Sequence, residues 1–374
     1  MKFNSLQLNQ YRNYTQQKLD FNSGVNVFLG QNGQGKTNLM ESMFLMIRGQ
    51  SFRPAKFESY ILKGKQEAFL RASVEANDLT HTLELALKEK KKRYSLNKKN
   101  TSLARISNLF PCVLFSPESL ASVKEGPEQR RLLIDEVLAN QGFSQLISDY
   151  KRALKQRNRL LMQNKKADEP IVGFQQMLES LDVSFLKLST QLAAKRVNAL
   201  RELMPDFQEI FREILSKNVD ISVDYLASGE NCLYDEESQI YQKLSLRREE
   251  LLKAEISSGT SLIGPHKHDI CFLVNQEDGR FYCSQGQQRA LILAFKMAQI
   301  QHHKIKQGFY PILMLDDVLS ELDNEKRYHL VNFLKTIDSQ IFITTTDLNF
   351  KFPFQETDLN IYTIEDGVAS VFSN

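Results

Sequence analysis

One stretch near the start of the chain constrains the fold more than any other: Gly30-Gln31-Asn32-Gly33-Gln34-Gly35-Lys36-Thr37. It satisfies G-x-x-x-x-G-K-[ST] in full. Each residue type has a physical reason. Backbone N–H groups wrap a phosphate chain only if the main chain approaches closely, and glycine permits that because it has no Cβ. The Lys36 ammonium suits the β- and γ-phosphates of ATP, and the Thr37 hydroxyl suits a Mg2+ ion. The flanks agree. Residues 24–29 form a short β-type run after a turn signal, and residues 38–46 carry apolar side chains at helical spacing. The phosphates are therefore expected at a helix N-terminus, where free amides and the dipole favour anions. A glycine-rich turn that binds nothing would need neither flank.

At 374 residues the chain can bury a large core, and two or three domains or lobes are expected. Hydrophobic residues at 42% and charged residues at 25% are ordinary for a soluble globular protein. The net charge is only +3, so any nucleic-acid contact must use a locally basic face. No apolar run reaches the roughly 18 residues needed to span a bilayer. The first residues lack the apolar segment of a signal peptide. Cys112, Cys232, Cys271 and Cys283 form no C-x-x-C pair and read as reduced thiols of a cytoplasmic protein.

Residues 2–9 and 16–21 read as strands around the turn Tyr11-Arg12-Asn13-Tyr14. So close to the phosphate loop, these aromatic and cationic groups either touch the base or ribose or pack as a surface turn. Spacing allows both. Arg53 likewise either reaches the phosphates or stays solvated. Residues 69–75, 80–88 and 92–97 look like successive strands. Lys88, Lys90, Lys91, Lys92, Arg93, Lys98 and Lys99 accompany them, with few acids between. On a hairpin such a run is either a solvated turn or a basic finger for phosphate backbone.

From Pro127 to about Ser257 the pattern becomes helical. One helix carries Lys151, Arg152, Lys155, Arg157, Arg159, Lys165 and Lys166 on the side opposite its apolar face. A second long helix is expected from Ile171 to Met204, ended by Pro205. Residues 221–225 are a candidate strand, and 235–257 another helix. His266 and His268 have the spacing of metal ligands, but no further ligand pattern accompanies them. The expected division is 1–126 for the first part of an α/β ATPase lobe, 127–260 for a helical inserted lobe with a short arm, and 261–374 for completion of the ATPase core.

The chain also carries the other half of a phosphoryl-transfer site. Pro311-Ile312-Leu313-Met314-Leu315-Asp316-Asp317 reads as a buried strand ending in two carboxylates. Asp316 is assigned to the Mg2+ shell and Asp317 to the attacking water. Ser284 caps a helix that opens Gln285-Gly286-Gln287-Gln288-Arg289, a second place for an anion. Its position before the aspartate strand resembles the signature motif of ABC-type ATPases. Ser284, Gly286 and Gln287 are its candidate ligands for the γ-phosphate. Ser320-Glu321-Leu322-Asp323 is similar to their D-loop, and Ile341-Phe342-Ile343-Thr344-Thr345-Thr346-Asp347 to the following strand and switch position. Thr346 stands where most of them have histidine.

Together these stretches resemble the bacterial RecF family of DNA replication and repair proteins, relatives of SMC heads. Further carriers of the resemblance are Phe115-Ser116-Pro117-Glu118, Gly126-Pro127, Arg130-Arg131, the run from Tyr150 to Asn158, and Gly264-Pro265-His266. They cover nearly the whole chain in the expected order. One departure is His268, where members usually carry an acidic residue. The resemblance implies a mixed-sheet ABC-type ATPase head with a mainly helical inserted lobe and short arm. It implies ATP-dependent DNA binding, single-stranded and at gaps, in recombinational repair, replication restart and the SOS response. Implied partners are RecR, with RecO and RecA, and an ATP-dependent homodimer in which Ser284 meets the nucleotide of the second copy. Slow hydrolysis would serve as a timing switch.

Two other classes fit the sequence less well. A transporter ATPase subunit would place its signature motif about 100 residues after the phosphate loop, and a P-loop kinase would need no such motif. A DNA-binding scaffold with a vestigial site is opposed by the presence of every residue type that the site requires.

Overall fold

The computed structural model describes residues 1–76, 78–169, 171–215, 219–346 and 359–372. These form two compact units. One comprises Met1–Ala121, Glu213–Ser216 and Arg289–Asn374, and the other Ser122–Arg212 and Lys217–Gln288.

The first unit is built on two sheets. Its central sheet runs in the order Val368–Val371, Leu359–Glu365, Val25–Leu29, Ile341–Thr345, Ile312–Asp316, Cys112–Phe115. All neighbours are parallel except the first pair. Val25–Leu29, Ile341–Thr345, Ile312–Asp316 and Cys112–Phe115 are buried at every position. That is why they read as mostly apolar runs and not as alternation. The helix Lys36–Arg48 buries Leu39, Met43 and Met46 in the same core as Phe28 and Phe342.

The second sheet of this unit is antiparallel, in the order Tyr14–Asp20, Lys2–Tyr11, Glu67–Ala76, Leu79–Lys88, Lys91–Leu96, Lys99–Asn100. Here the burial alternates: Ala68, Leu70, Ala72 and Val74 face the core, and the residues between them face outward. Lys88 and Lys91 are joined by the reversal Glu89-Lys90, both with positive φ, as a two-residue hairpin turn requires.

The second unit contains the helices Pro127–Asn140, Ser144–Lys166 and Glu237–Ser258, most of the long helix Phe174–Leu215, and a small sheet. That sheet is ordered Glu230–Asn231, Ile221–Ala227, Asp269–Val274, Glu277–Asp278. Three sequence expectations are corrected here. The boundary placed at residue 260 falls after Gln288. Strand Asp269–Val274 pairs along its length with Ile221–Ala227, and Asp269 is locked by Arg130 at 2.8 Å. Pro205 does not end its helix, which continues to Leu215. Phe207, Ile210 and Phe211 are buried, and that burial offsets the backbone bond that proline removes. Arg157 does not belong to the basic face. It is fully buried and donates to Asp182 at 2.6 Å, to both Glu255 oxygens at 3.0 and 2.7 Å, and to the Ser261 hydroxyl at 2.8 Å.

His266 and His268 also lie inside this unit. His266 Nδ1 sits 2.7 Å from the Tyr150 hydroxyl, and Nε2 sits 3.1 Å from the Ser261 carbonyl, which assigns the proton to Nε2. His268 Nδ1 is 3.0 Å from the Tyr225 hydroxyl. Burial, with Arg196, His266 and Arg131 adding repulsion, pushes His268 from the usual 6.5 down to about 3. Burial likewise lowers His266 to about 4. Both are therefore neutral when folded, and below pH 6.5 the unfolded chain binds more protons than the folded one. Stability should be full above about pH 6.5 and fall toward pH 4, by about 1.4 kcal/mol per pH unit for each ring. Urea midpoints measured at pH 7 and pH 5 check this. His268→Asn should narrow the gap between them, and an unchanged gap would refute the assignment.

Candidate nucleotide site

The phosphate loop leaves the central strand Val25–Leu29 and enters the helix at Lys36. It is braced from three sides. The Tyr14 hydroxyl donates to the Gly35 carbonyl at 2.9 Å, Asn13 Nδ2 to the Gln34 carbonyl at 3.0 Å, and the Gly367 amide to that same carbonyl at 3.0 Å. Gly35 has φ 119, and a Cβ there would meet Asn13 Nδ2 at 2.6 Å. Glycine at 35 is thus required both by conformation and by space. Asn13 and Tyr14, left open between nucleotide contact and packing, are the loop's supports. Arg12 is held by Glu41 through bonds of 2.7 and 2.6 Å, and Tyr11 and Ser51 donate to the same carboxylate. Arg53 donates to Asn38 at 2.8 Å.

Lys36 is buried and its ammonium donates to the Gly30 and Gln31 carbonyls at 2.8 and 2.9 Å. Burial lowers its pKa, and Asp317 and Asp316 oppose that fall. The register of the sheet explains how these groups meet. Asp316 pairs with Thr344, Thr344 with Phe28 and Thr345 with Leu29, so the loop and the aspartates emerge together at the carboxyl ends of parallel strands.

Asp316 is 4% exposed. Burial raises its carboxyl to about 6, while hydrogen bonds from Thr344 and Thr37 hold it down. A buried carboxylate beside a threonine hydroxyl is a hard-oxygen donor set of the kind Mg2+ takes alongside waters and substrate phosphates. Asp317 has φ 50, an uncommon conformation for a residue other than glycine. Its amide donates to Thr344 Oγ1 at 2.9 Å, and Thr344 Oγ1 donates to Asp316 at 2.9 Å. One hydroxyl thus ties the Asp316 carboxylate to the Asp317 backbone. Sequence reasoning missed Thr344, because a threonine inside an apolar strand looks like an ordinary β-branched residue. Thr346 lies next to this strand and is half-buried, and Asp347 lies outside the described residues.

Ser284, Gly286 and Gln287 belong to the second unit, and the residues above to the first. Ser284 is exposed and opens the helix Gln285–Gln307. Its hydroxyl accepts from the Gln287 amide at 3.3 Å, and the Gln287 side chain accepts from the Ser284 amide at 2.8 Å. This reciprocal cap holds the helix end open to solvent. In the first unit Arg289 donates to the Glu321 carbonyl and carboxylate at 2.5 and 2.6 Å, fixing the D-loop-like segment.

The basic run at 88–99 is less free than its sequence suggests. Lys88 pairs with Glu67 at 2.8 Å and Lys90 with Glu58 at 3.3 Å. Lys92 turns inward to the Gly49 carbonyl at 2.7 Å and over the Tyr60 ring. Lys91, Arg93, Lys98 and Lys99 remain exposed.

Fold and site together define an ABC-type ATPase head. Residues 2–369 match the family described as the RecF/RecN/SMC N terminal domain, and the chain belongs to that family. A DNA replication and repair protein RecF from Heliobacterium modesticaldum is 35% identical over 377 residues, spanning 99% of each chain. The RecF of Staphylococcus carnosus is 34% identical over 354 residues, 93% of this chain and 94% of the relative. A solved structure of the recombination mediator protein RecF with ATP, in the RecFOR pathway, has a TM-score of 0.86 at 29% identity, covering 99% of this chain and 97% of that one. An Smc head domain from Pyrococcus furiosus, at 14% identity and TM-score 0.54 over 100% of this chain and 96% of that one, shares the fold.

Proposed function

We propose that this chain is an ATP-dependent DNA-binding protein of recombinational repair and replication restart, acting in the cytoplasm. The observation that carries the reading is the meeting of Lys36, Thr37 and Asp316 at the carboxyl edge of one parallel sheet. The ATP named with a similar RecF structure, and the repair role in the names of the relatives, support it.

In this reading residues 30–37 wrap the triphosphate, with Lys36 on its terminal phosphates. Thr37 and Asp316 hold Mg2+, which neutralises charge developing on the transferred phosphoryl group. Asp317, anchored by Thr344 and Ser320, orients the attacking water and takes its proton. Ser284, with the amides of Gly286 and Gln287, reads the γ-phosphate bound by a second copy, so ATP joins two protomers and hydrolysis releases them. Slow turnover makes this a clock. DNA, single-stranded or gapped, binds through exposed lysines and arginines. RecR and RecO are the partners that couple it to loading of RecA, with a link to the SOS response.

Sedimentation tests the composite site. The wild-type chain should dimerise with ATP and remain monomeric with ADP. Ser284→Arg should stay monomeric with both while still binding a fluorescent ATP analogue. Dimerisation of Ser284→Arg with ATP would overturn the proposal.

A further inference from the structure

The antiparallel sheet of the first unit covers the core with one face only. Register defines its other face. Asn9, Phe69, Ala86 and Arg93 form one cross-strand row, and Gln7, Arg71, Glu84 and Ser95 form the next. A groove of about 540 Å³ lies over these rows. Phe69 sits in it with 45% of its surface exposed, flanked in its row by Asn9 and Ala86, with Arg93 one strand beyond Ala86. The two acids nearest the groove are already engaged. Glu84 accepts from Arg71 at 2.9 Å and Ser95 at 2.7 Å, and Glu67 is paired with Lys88. Lys18, at the end of the second row, and Lys91 and Arg93 are exposed and have no ion pair among the described residues.

An open sheet face with an aromatic ring, amides beside it and unpaired cations around it complements one class of ligand. A single-stranded nucleic acid has exposed bases to stack and a phosphate chain to neutralise. A duplex keeps its bases stacked inside and would gain nothing from the ring. We propose that this face binds single-stranded DNA. Phe69 stacks on a base, the Asn9 and Gln7 amides meet base edges, and Arg93, Lys91 and Lys18 follow the phosphates. The inference rests on the DNA-binding reading above and gives its single-stranded part a place.

The test uses the full chain with ATP, and two probes of equal length: a fluorescein-labelled oligothymidylate of about 20 nucleotides and a duplex. Phe69→Ala should bind the oligothymidylate about tenfold more weakly, the loss of one stacked base, and the duplex within about twofold of wild type. Phe69→Tyr should restore single-strand binding and Phe69→Leu should not. Arg93→Ala should flatten the slope of log affinity against log salt by about 0.7. ATP-induced dimerisation, unchanged in Phe69→Ala, would certify its fold. If Phe69→Ala binds oligothymidylate like wild type, or loses both probes equally, the face is not a single-strand platform. If the wild-type chain binds neither probe, the DNA-binding reading itself fails.

Discussion

Lys36→Ala should lose ATP affinity by at least about 100-fold, and with it any ATP-dependent self-association. The size follows from what the ammonium does. It is buried, and its partners are carbonyls of its own loop, so it is fixed where a triphosphate would be wrapped. Charge-assisted hydrogen bonds are worth about 1.5–3 kcal/mol each, and two of them on phosphate oxygens already account for a factor of that order. Removing Lys36 leaves the Gly30 and Gln31 carbonyls at the loop rim, where water can satisfy them, so folding should survive. Titration with a fluorescent ATP analogue, beside a thermal melt, separates the two effects. Asp317→Asn provides the contrast. It should bind ATP normally, because the Thr344 and Ser320 anchors reach its backbone, yet hydrolyse poorly and persist as a dimer. Near-wild-type ATP affinity in Lys36→Ala would remove the basis of the proposed function.

The two variants separate because the site is assembled from different kinds of sequence signal. The phosphate loop was legible outright, since its chemistry demands fixed residues at fixed spacing in one contiguous stretch. The strand ending in Asp316 was legible because a parallel strand buried on both faces must be apolar throughout. Thr344 was not legible. Its role arises only when strand register sets it beside Asp316, 28 residues away. Glu41 was hidden in the same way, as the one acid of its helix until Arg12, Tyr11 and Ser51 converge on it. The continuation past Pro205 was missed because proline's local cost was weighed without the burial of Phe207 and Phe211. The boundary at 260 failed because the pairing of Asp269–Val274 with Ile221–Ala227 bridges residues far apart in sequence. Arg157 is the sharpest case. In a helix rich in lysine and arginine nothing local distinguishes it, and its partners lie 25 and 98 residues away.

That buried arginine is the basis of the second large expectation, this time on stability. Arg157→Leu should destabilise the chain by about 3–5 kcal/mol, the usual consequence of deleting one member of a buried ion network. Most of that cost would come from the groups left behind. Glu255 is fully buried and accepts two of its hydrogen bonds from Arg157, keeping, among the described residues, the Leu262 amide at 2.7 Å. Asp182 is better placed, because Arg248 also donates to it at 2.8 Å. The unpaired charge should therefore reside chiefly on Glu255. Adding Glu255→Gln to Arg157→Leu removes that charge while keeping an acceptor for Leu262, and should recover part of the loss. Glu255→Gln alone should destabilise less than Arg157→Leu, since Asp182 would still hold the guanidinium. Urea denaturation of the four chains, read as a double-mutant cycle, measures the coupling. Additive effects would mean that Arg157 and Glu255 act independently. A strong coupling would mean that the helix Ser144–Lys166 is fastened to Glu237–Ser258 by charge as well as by packing. The network joins three helices, through Arg157, Asp182 and Glu255. Loosening it should therefore lower the cooperativity of unfolding as well as the midpoint, whereas a void in an apolar core would lower the midpoint alone.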